Sequence, residues 1–243
     1  KEKQNFMLSI LIPLRDEFEN LDNIVSKLDQ NLKEINHEVI FINDFSIDGT
    51  LEKVKQICEN KKKFKIYDNT KKGLGGAINL GIEKVEGEYI CIMMADLSDD
   101  INDLKKYYRE INEKKLDAVF GSRFLKGSKV EDYPLNKLIL NRIFNIFVSF
   151  LFLNKYNDFT NAFKIYKSDI LKGLLPLVSE SFNIFLEMPL KIITRKYEYS
   201  IIPINWYGRK QGKAKFNIKE LRSKYLFTLI YCFIEKILLN KKK

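Results

Sequence analysis

The 243-residue chain has few of the residues that build disulfide frameworks, zinc sites or histidine-dependent catalytic centres. Its three cysteines, Cys58, Cys91 and Cys232, lie far apart in apolar segments, so the sequence supports neither a disulfide framework nor a zinc site. This pattern favours a reducing compartment. The single histidine, His37, precedes a predicted strand, and we expect it at the protein surface.

The sequence also lacks a long uninterrupted apolar run. Residues 1–6 contain no signal-peptide hydrophobic region, and the chain does not begin with Met, so we expect a fragment of a longer protein. The uninterrupted apolar stretches within residues 134–154 and 225–234 are shorter than the ~20 residues of a transmembrane helix. The second segment predicts a helix at a membrane interface, or the start of a span that continues past residue 243.

The formal net charge of +10 comes from the last quarter of the chain. Residues 1–189 contain 28 Lys/Arg and 29 Asp/Glu, whereas residues 190–243 contain 14 and 3. This asymmetry indicates an anionic partner, which is nucleic acid, phosphate groups or an acidic membrane surface. The length suits one domain, which we place at residues 1–220, followed by a basic amphipathic helix at residues 221–243.

Short apolar runs alternate with amphipathic helical patterns. Strands are predicted at residues 7–13, 38–43, 64–67, 89–93, 117–120 and 201–206. The alternation predicts an α/β fold with a mostly parallel central sheet and helices on both faces. Polar clusters follow the first, second, fourth and fifth strands, at residues 15–17, 44–48, 96–100 and 121–123. Such sheets bind ligands beyond the C-terminal ends of their strands, so we predict a site at this edge.

The turn after the fourth predicted strand carries four carboxylates, those of Asp96, Asp99, Asp100 and Asp103. Their charges repel one another unless a cation lies nearby, which indicates a metal or ligand site. The alternative is a solvated turn in which Asp99 or Asp100 caps the next helix.

Other residues at the same edge suit a nucleoside diphosphate. Asp44 and Ser46 can accept hydrogen bonds from a ribose or a base, although turn chemistry also explains them. The glycine turn at residues 71–76 lacks the spacing of a dinucleotide fingerprint, which excludes a hydride-transfer cofactor, but its lysines can approach a phosphate. Arg123 and the cations of residues 209–215 can hold a departing diphosphate.

A polar stripe runs along the apolar segment at residues 134–154. Lys137, Asn141, Asn145 and Ser149 recur every four residues, which places them on one face of a helix. We interpret this face as turned toward the site, with the other faces on protein core or lipid headgroups. The alternative is a buried core helix whose amides are satisfied internally.

Eight segments occur in an order that is typical of one family: IPLRDEFENL, FINDFSIDGT, KKGLGGAINLGI, MMADLSDD, GSRF, NDFTNAFKIYK, FNIFLEMPLKI and RKQGKAK. Together they resemble the family-two glycosyltransferases, specifically the dolichol-phosphate mannosyltransferase-like branch, from about Ser9 to about Phe216. The resemblance implies a GT-A fold, a GDP- or UDP-linked sugar donor, Mg²⁺ or Mn²⁺, and inverting transfer to a polyprenyl or dolichyl phosphate.

The resemblance also assigns roles to residues. Nucleotide binding is implied for Pro13, Arg15, Glu17, Asp44, Ser46, Lys72, Gly73 and Ala95. Metal binding is implied for Asp96 and Ser98. Phosphate or acceptor binding is implied for Arg123, Lys137, Asn141, Arg209 and Lys215. Catalytic roles are implied for Asp96, Arg123, Glu187 and Arg209.

The chain departs from the family pattern at several positions. Met94 replaces the first Asp of the metal-binding Asp-x-Asp, which leaves Asp96 as its carboxylate, helped through water by Asp99 or Asp100; loss of activity is the alternative. The remaining departures are Arg15 in the first loop, Asn43 for Asp, Phe45 for Gly, Lys137 for Arg and Ala214 for Ser.

We therefore predict a hexosyltransferase that acts at the cytoplasmic face of a membrane, as a peripheral protein or with an anchor beyond residue 243. A lipid phosphate acceptor is already anionic and needs no general base. A saccharide hydroxyl, the alternative acceptor, needs a base such as Asp158, Glu187 or Asp99. A nucleotide-sugar-binding protein without activity is a further alternative. Nucleic acid is not a predicted partner, because the cations are not interleaved with aromatic residues.

Overall fold

The computed structural model describes residues 6–208 and 218–240. Seven strands form one sheet in the order β3-β2-β1-β4-β7-β5-β8, and two short strands, β6 and β9, form a parallel ribbon. The strands are β1 (Leu8–Leu14), β2 (His37–Asn43), β3 (Phe64–Asp68), β4 (Tyr89–Ile92), β5 (Ala118–Ser122), β6 (Val130–Glu131), β7 (Lys164–Lys167), β8 (Tyr199–Pro203) and β9 (Trp206–Tyr207).

Helices connect the strands and cover the sheet. They are α1 (Leu21–Asn31), α2 (Thr50–Asn60), α3 (Leu74–Lys84), α4 (Asn102–Lys114), α5 (Leu135–Phe152), α6 (Ser168–Lys172), α7 (Ile184–Thr194) and α8 (Ile218–Asn240). A 3-10 turn, Phe18–Asn20, precedes α1.

The strands β1 and β2 are mainly apolar because the sheet is covered on both faces. Every residue of β1 and β2 is buried. Alternate side chains of β1 enter different cores: Leu11 packs in a cluster with residues of α3, α5, α7 and α8, whereas Ile10 and Ile12 pack with residues of α1, α2 and α4. The predicted α/β fold with helices on both faces is confirmed.

The sheet is parallel except at β7, which pairs antiparallel with β4 and β5. The sequence pattern did not predict β7, because its four residues KIYK follow a loop and are too few to show a periodicity. The predicted strand at residues 201–206 is divided into β8 and β9. This division turns the chain back toward the acidic turn, where Trp206 forms an isolated bridge with Asp99.

The expectation for His37 is wrong. His37 is the first residue of β2 and is 6% exposed, with its Nδ1 2.7 Å from the carbonyl oxygen of Ile35. Burial lowers the pKa of this imidazole, which favours the neutral ring.

The C-terminal helix α8 begins at Ile218, so it crosses the predicted boundary at residue 220. It packs on the main domain, since Leu229 and Cys232 are buried in the same core as α7. The ring of Phe233 contacts Phe152 of α5 at a centroid distance of 6.0 Å. The two-part division of the chain remains a prediction.

Candidate active site

The carboxylates of the acidic turn after β4 differ in their partners. Asp100 accepts hydrogen bonds from the backbone N–H of Asn102 (3.0 Å) and from the Asn205 amide (3.1 Å). Asp103 is fully buried and accepts from the backbone N–H of Asn205 at 2.8 Å. These two residues attach the start of α4 to the segment between β8 and β9. Asp100 accepts the N–H of the first residue of α4, but the N-cap residue is Ile101, which makes no side-chain capping hydrogen bond, so the expected cap by Asp99 or Asp100 is wrong.

The other half of the turn faces the predicted ligand edge. Asp96 is half-buried and accepts the backbone N–H of Ser98 at 3.1 Å. Asp99 is 7% exposed, and burial together with the neighbouring Asp96 charge raises the pKa of its carboxyl to about 7. The backbone carbonyl of Ser98 accepts the N–H of Tyr207, so β9 holds the turn in place.

The oxygens at this turn fit a hard divalent cation that also binds a substrate diphosphate. The Ser98 hydroxyl is buried and has no hydrogen-bond partner among the described residues, and the Asp96 carboxylate is two residues away. Within the same part of the chain, no group of three His, Cys, Asp or Glu residues could hold a metal ion by itself. Mg²⁺ commonly uses one or two protein carboxylates plus phosphate oxygens, which this small set can provide.

Arg123 is held by Asp158 in a buried bidentate pair. Its Nε donates to one Asp158 oxygen at 2.9 Å and its second terminal nitrogen donates to the other at 2.7 Å. Asp158 is fully buried and also accepts the backbone N–H of Arg123. The guanidinium lies 5.4–5.9 Å from the ring centroids of Phe124, Tyr133 and Trp206. Arg123 is thus fixed among aromatic side chains. Two of its guanidinium nitrogens are already bonded to Asp158.

Lys164 is the buried cation that the sequence analysis missed. It begins β7, is fully buried, and donates to the backbone carbonyls of Phe159 and Asn161. Burial and the Arg123 charge lower the pKa of this lysine to about 7, although the Asp158 and Asp99 charges oppose the decrease. The only available signal was a lysine between apolar residues in NDFTNAFKIYK.

The nucleoside side of the edge is built around Asp44, directly after β2. One carboxylate oxygen accepts from the Asn69 amide and from the backbone N–H of Gly73, both at 2.8 Å. The other oxygen is 3.6 Å from a guanidinium nitrogen of Arg15. The structure thus brings together Asp44, Arg15 and the glycine turn, as the predicted nucleotide site requires.

The remaining predicted nucleotide residues shape the neighbouring backbone. Pro13 and Ala95 are buried, Pro13 within β1 and Ala95 just after β4. The Ser46 hydroxyl accepts the N–H of Asp16 at 3.1 Å, and the Glu17 carboxylate accepts from the Asn20 amide at 2.7 Å.

The glycine turn adjoins the loop before α7. Gly73 has a φ of 118° and is followed by α3. A Cβ on Gly75 would lie 2.0 Å from the carbonyl oxygen of Ser179, so only glycine permits this approach. Glu187 is fully buried and accepts the N–H groups of Val178 and Ser179. It therefore supports the loop that contacts the turn, and it is not joined to Asp96 by any described contact.

The polar face of α5 contacts the loop that carries Asp158. The Asn141 amide donates to the Thr160 hydroxyl at 2.7 Å, and the side-chain oxygen Oδ1 of Asn145 accepts the N–H of Phe159 at 2.6 Å. Lys137 is exposed in the first turn of the helix. The stripe amides are satisfied by contacts with this loop, and the orientation of the stripe toward a substrate site stays a prediction.

Arg209 and Lys215 lie outside the described residues, as do the other cations of the basic loop. Their predicted roles in holding the diphosphate therefore remain predictions.

Comparisons with known proteins place this geometry in a family context. Residues 9–175 match the model of Glycosyl transferase family 2. The chain is 29% identical over 219 residues to dolichol-phosphate mannosyltransferase of Pyrococcus furiosus, a match that covers 88% of this chain and 60% of that protein. It is 23% identical over 220 residues to polyprenol monophosphomannose synthase of Mycolicibacterium smegmatis, covering 88% and 82% of the two chains.

Solved structures show the same fold at low sequence identity. Glucosyl-3-phosphoglycerate synthase of Mycobacterium tuberculosis superimposes with a TM-score of 0.71 and 11% identity, covering 95% of this chain and 81% of that chain. The same enzyme has been solved with Mn²⁺, UDP and glucosyl-3-phosphoglycerate, at a TM-score of 0.69 and 12% identity. The present chain therefore has the GT-A fold that its sequence motifs predict.

Proposed function

The chain belongs to glycosyl transferase family 2, and on that basis we propose that it transfers a sugar from a nucleotide-sugar to a polyprenyl phosphate. The names of the archaeal and mycobacterial relatives support this acceptor class. The observation that carries the proposal is that Asp158, which holds Arg123, lies in a loop bonded to α5, a helix with an exposed apolar face.

The donor would bind across the edge formed by the loops after β2 and β4. Asp44 and the glycine turn lie at the nucleoside end, and Asp96 and Ser98 lie toward the diphosphate end. A divalent cation held by Asp96 and Ser98 would neutralise charge on the diphosphate. The Asp96 carboxylate and the orphaned Ser98 hydroxyl are hard oxygen donors, which suits this role.

The transfer is an in-line displacement at the anomeric carbon. An oxygen of the acceptor phosphate forms the new bond to that carbon while the bond to the nucleoside diphosphate oxygen breaks, and the diphosphate leaves with the electron pair. Asp158 holds Arg123 with its cationic face beside this edge, so its positive charge stabilises the anions without a change of conformation. No proton has to be removed from an acceptor that is already anionic.

The acceptor lipid would approach along α5 and α8. Apolar side chains on these helices are 38–77% exposed; they are Leu135, Ile139, Leu140, Ile143, Ile146, Phe147 and Phe150 on α5, and Leu226, Phe227, Ile230, Ile234, Ile237, Leu238 and Leu239 on α8. The two helices adjoin through Phe144 and Tyr225, with centroids 5.5 Å apart. We call this combined surface the apolar face.

The apolar face includes a helix that is long and apolar enough to contact a membrane. Among the described helices, α5 alone has the length and apolar composition of a membrane span, and 17% of it is buried. Its amides are bonded to the loop at residues 156–160, so α5 lies along the domain and presents the apolar face outward. We therefore assign it to the surface of the membrane in which the polyprenyl chain of the acceptor is dissolved.

The test is a transfer assay with GDP- and UDP-linked sugars, offered separately to a polyprenyl phosphate and to saccharides in the presence of Mg²⁺ or Mn²⁺. We expect an acid-labile lipid-linked sugar. Transfer only to saccharides would contradict the acceptor, and it would favour Asp99, whose pKa of about 7 suits a general base. Nucleotide binding without any transfer would contradict the enzyme proposal.

Asp96→Asn should abolish the metal-dependent transfer, and Asp99→Asn should only weaken it. Asp22→Asn serves as a control, because Asp22 is exposed on α1 and pairs with Lys53. Electron paramagnetic resonance of Mn²⁺ in the presence of nucleotide measures metal binding. This second measurement does not depend on turnover. Wild-type turnover or wild-type Mn²⁺ binding in Asp96→Asn would show that the metal assignment is wrong.

A further inference from the structure

Phe45 occupies an unusual position directly after Asp44. Its φ is 56°, in the left-handed region that favours glycine, and its side chain is 47% exposed. Hydrogen bonds on either side hold this conformation: the N–H of Asp44 donates to the carbonyl of Leu14, and the N–H of Ser46 donates to the Asn43 side chain at 3.2 Å. The backbone is therefore committed to a geometry that a bulky residue adopts at a cost.

The fold itself gives no reason for a phenyl ring at this point. Neither hydrophobic core cluster of the described residues includes Phe45, so its ring adds nothing to core packing. A glycine would satisfy the same φ without strain. Strained backbone positions often occur at ligand-binding sites, so an exposed aromatic residue at such a position beside Asp44 is a candidate ligand contact.

The neighbours of Phe45 identify the ligand. The Asp44 carboxylate precedes it and can accept hydrogen bonds from a base N–H or a ribose hydroxyl. The ammonium of Lys72 lies 6.0 Å from the centroid of its ring, at the side of the glycine turn. An aromatic ring beside a hydrogen-bond acceptor and a cation provides one partner each for the base, the ribose and the phosphate of a nucleotide.

We propose that Phe45 is a stacking platform for the nucleobase of the donor, an inference that rests on the proposed function. The flat ring contributes contact with the π-face of the base, whereas Asp44 contributes the polar contact. Because every base has a π-face, Phe45 contributes affinity, and the hydrogen-bonding groups around it select the base.

The experiment is isothermal titration of UDP, GDP and inorganic pyrophosphate, each with Mg²⁺, into the wild type and three variants. Phe45→Gly removes the ring and suits the positive φ, so it should fold at least as well as the wild type. Phe45→Trp restores an aromatic surface. Ile47→Ala is the matched control, because Ile47 is in the same loop and 92% exposed.

Loss of stacking should weaken binding of the preferred nucleoside diphosphate by roughly 5- to 150-fold in Phe45→Gly. Phe45→Trp and Ile47→Ala should bind like the wild type, and pyrophosphate affinity should not change in any variant. Unchanged nucleotide affinity in Phe45→Gly, or an equal loss for pyrophosphate, would overturn this inference alone. A wild type that binds neither UDP nor GDP would overturn the proposed function as well.

Discussion

Arg123, Asp158, Lys164 and Asp99 are four ionisable residues buried beside the acidic turn. Arg123 and Asp158 neutralise each other through two hydrogen bonds, whereas Lys164 donates only to backbone carbonyls. Burial shifts the pKa of Lys164 down and that of Asp99 up, and both reach about 7. The site therefore contains one strong ion pair, together with two residues, Lys164 and Asp99, in which burial favours the neutral form.

Breaking the Arg123–Asp158 pair should be costly. Asp158→Asn keeps the shape but leaves the Arg123 charge buried without its counter-ion, which should lower the free energy of unfolding by about 3–5 kcal/mol. Chemical denaturation measures this loss. Lys114→Gln, which removes an exposed pair with Glu110, should cost about 0.5 kcal/mol or less.

The double variant Arg123→Met/Asp158→Asn separates charge from packing. It should lose less stability than Asp158→Asn alone, because no uncompensated charge stays buried. Equal losses in the single and double variants would show that the pair acts through shape and not through charge.

Lys164 should make stability depend on pH in the alkaline range. Burial lowers its pKa from 10.5 to about 7, so the unfolded chain holds more protons than the folded chain between these pH values. The free energy of unfolding should therefore rise with pH from about 7 to about 10.5. Lys164→Met should lack this rise. Urea denaturation at several pH values compares the two profiles, and parallel profiles would refute the assignment of a charge-suppressed lysine.

At the element scale, the site depends on how α3 begins. The glycine turn bends after Gly73, and α3 starts against the backbone of Ser179 and Glu180. The N–H of Gly75 donates to the carbonyl of Glu180 at 3.0 Å. Glu187 holds the same loop from α7, and its pairing with Lys191 (3.4 Å) compensates its buried charge. One loop thus connects the turn at the nucleotide edge to α7.

Gly75→Ala should separate the two backbones. The added Cβ would lie 2.0 Å from the Ser179 oxygen, so α3 or the loop has to move, which should cost about 1–3 kcal/mol and weaken nucleotide binding. Gly173→Ala is the matched control, since its nearest neighbour would be 3.3 Å away. Thermal unfolding and nucleotide titration are the measurements; equal effects of the two substitutions would contradict the close approach.

At the scale of the whole molecule, charge and apolar surface are concentrated in the same part of the chain. Residues 190–243 contain 14 Lys/Arg and 3 Asp/Glu, and they include α8, whose exposed side joins that of α5. A helix with exposed apolar side chains in a basic segment of the sequence suits the proposed contact with an anionic bilayer.

The double variant Phe147→Glu/Phe150→Glu should reduce binding to vesicles of phosphatidylcholine and phosphatidylserine by at least about ten-fold, because two rings no longer enter the interface. Flotation measures the bound fraction, and added salt should weaken the binding of the wild type to these vesicles. Ile47→Glu makes the same kind of change on an exposed residue away from the apolar face, and should bind like the wild type. Undiminished flotation of the double variant would exclude the apolar face as the membrane contact.

Local patterns predicted most of the sheet but missed some of its pairings. β1, β2 and β4 are short, mainly apolar runs in which every residue is buried, which is the pattern of strands covered on both faces. The four-residue β7 has no such pattern. It is recognisable as a strand only from its pairing between β4 and β5. The polar edge was predictable because parallel strands share one C-terminal side.

The α/β class, the family resemblance, the position of Asp44 and Asp96 after their strands, and the positive charge near the C-terminus all follow from residue types and their spacing. Which charged side chains pair with one another depends on the tertiary structure. Asp158 and Arg123 are 35 residues apart and pair at 2.7 Å, and Lys164 is buried because β7 enters the centre of the sheet. Burial and ion pairing depend on distances in space, so residue types and their spacing did not specify them.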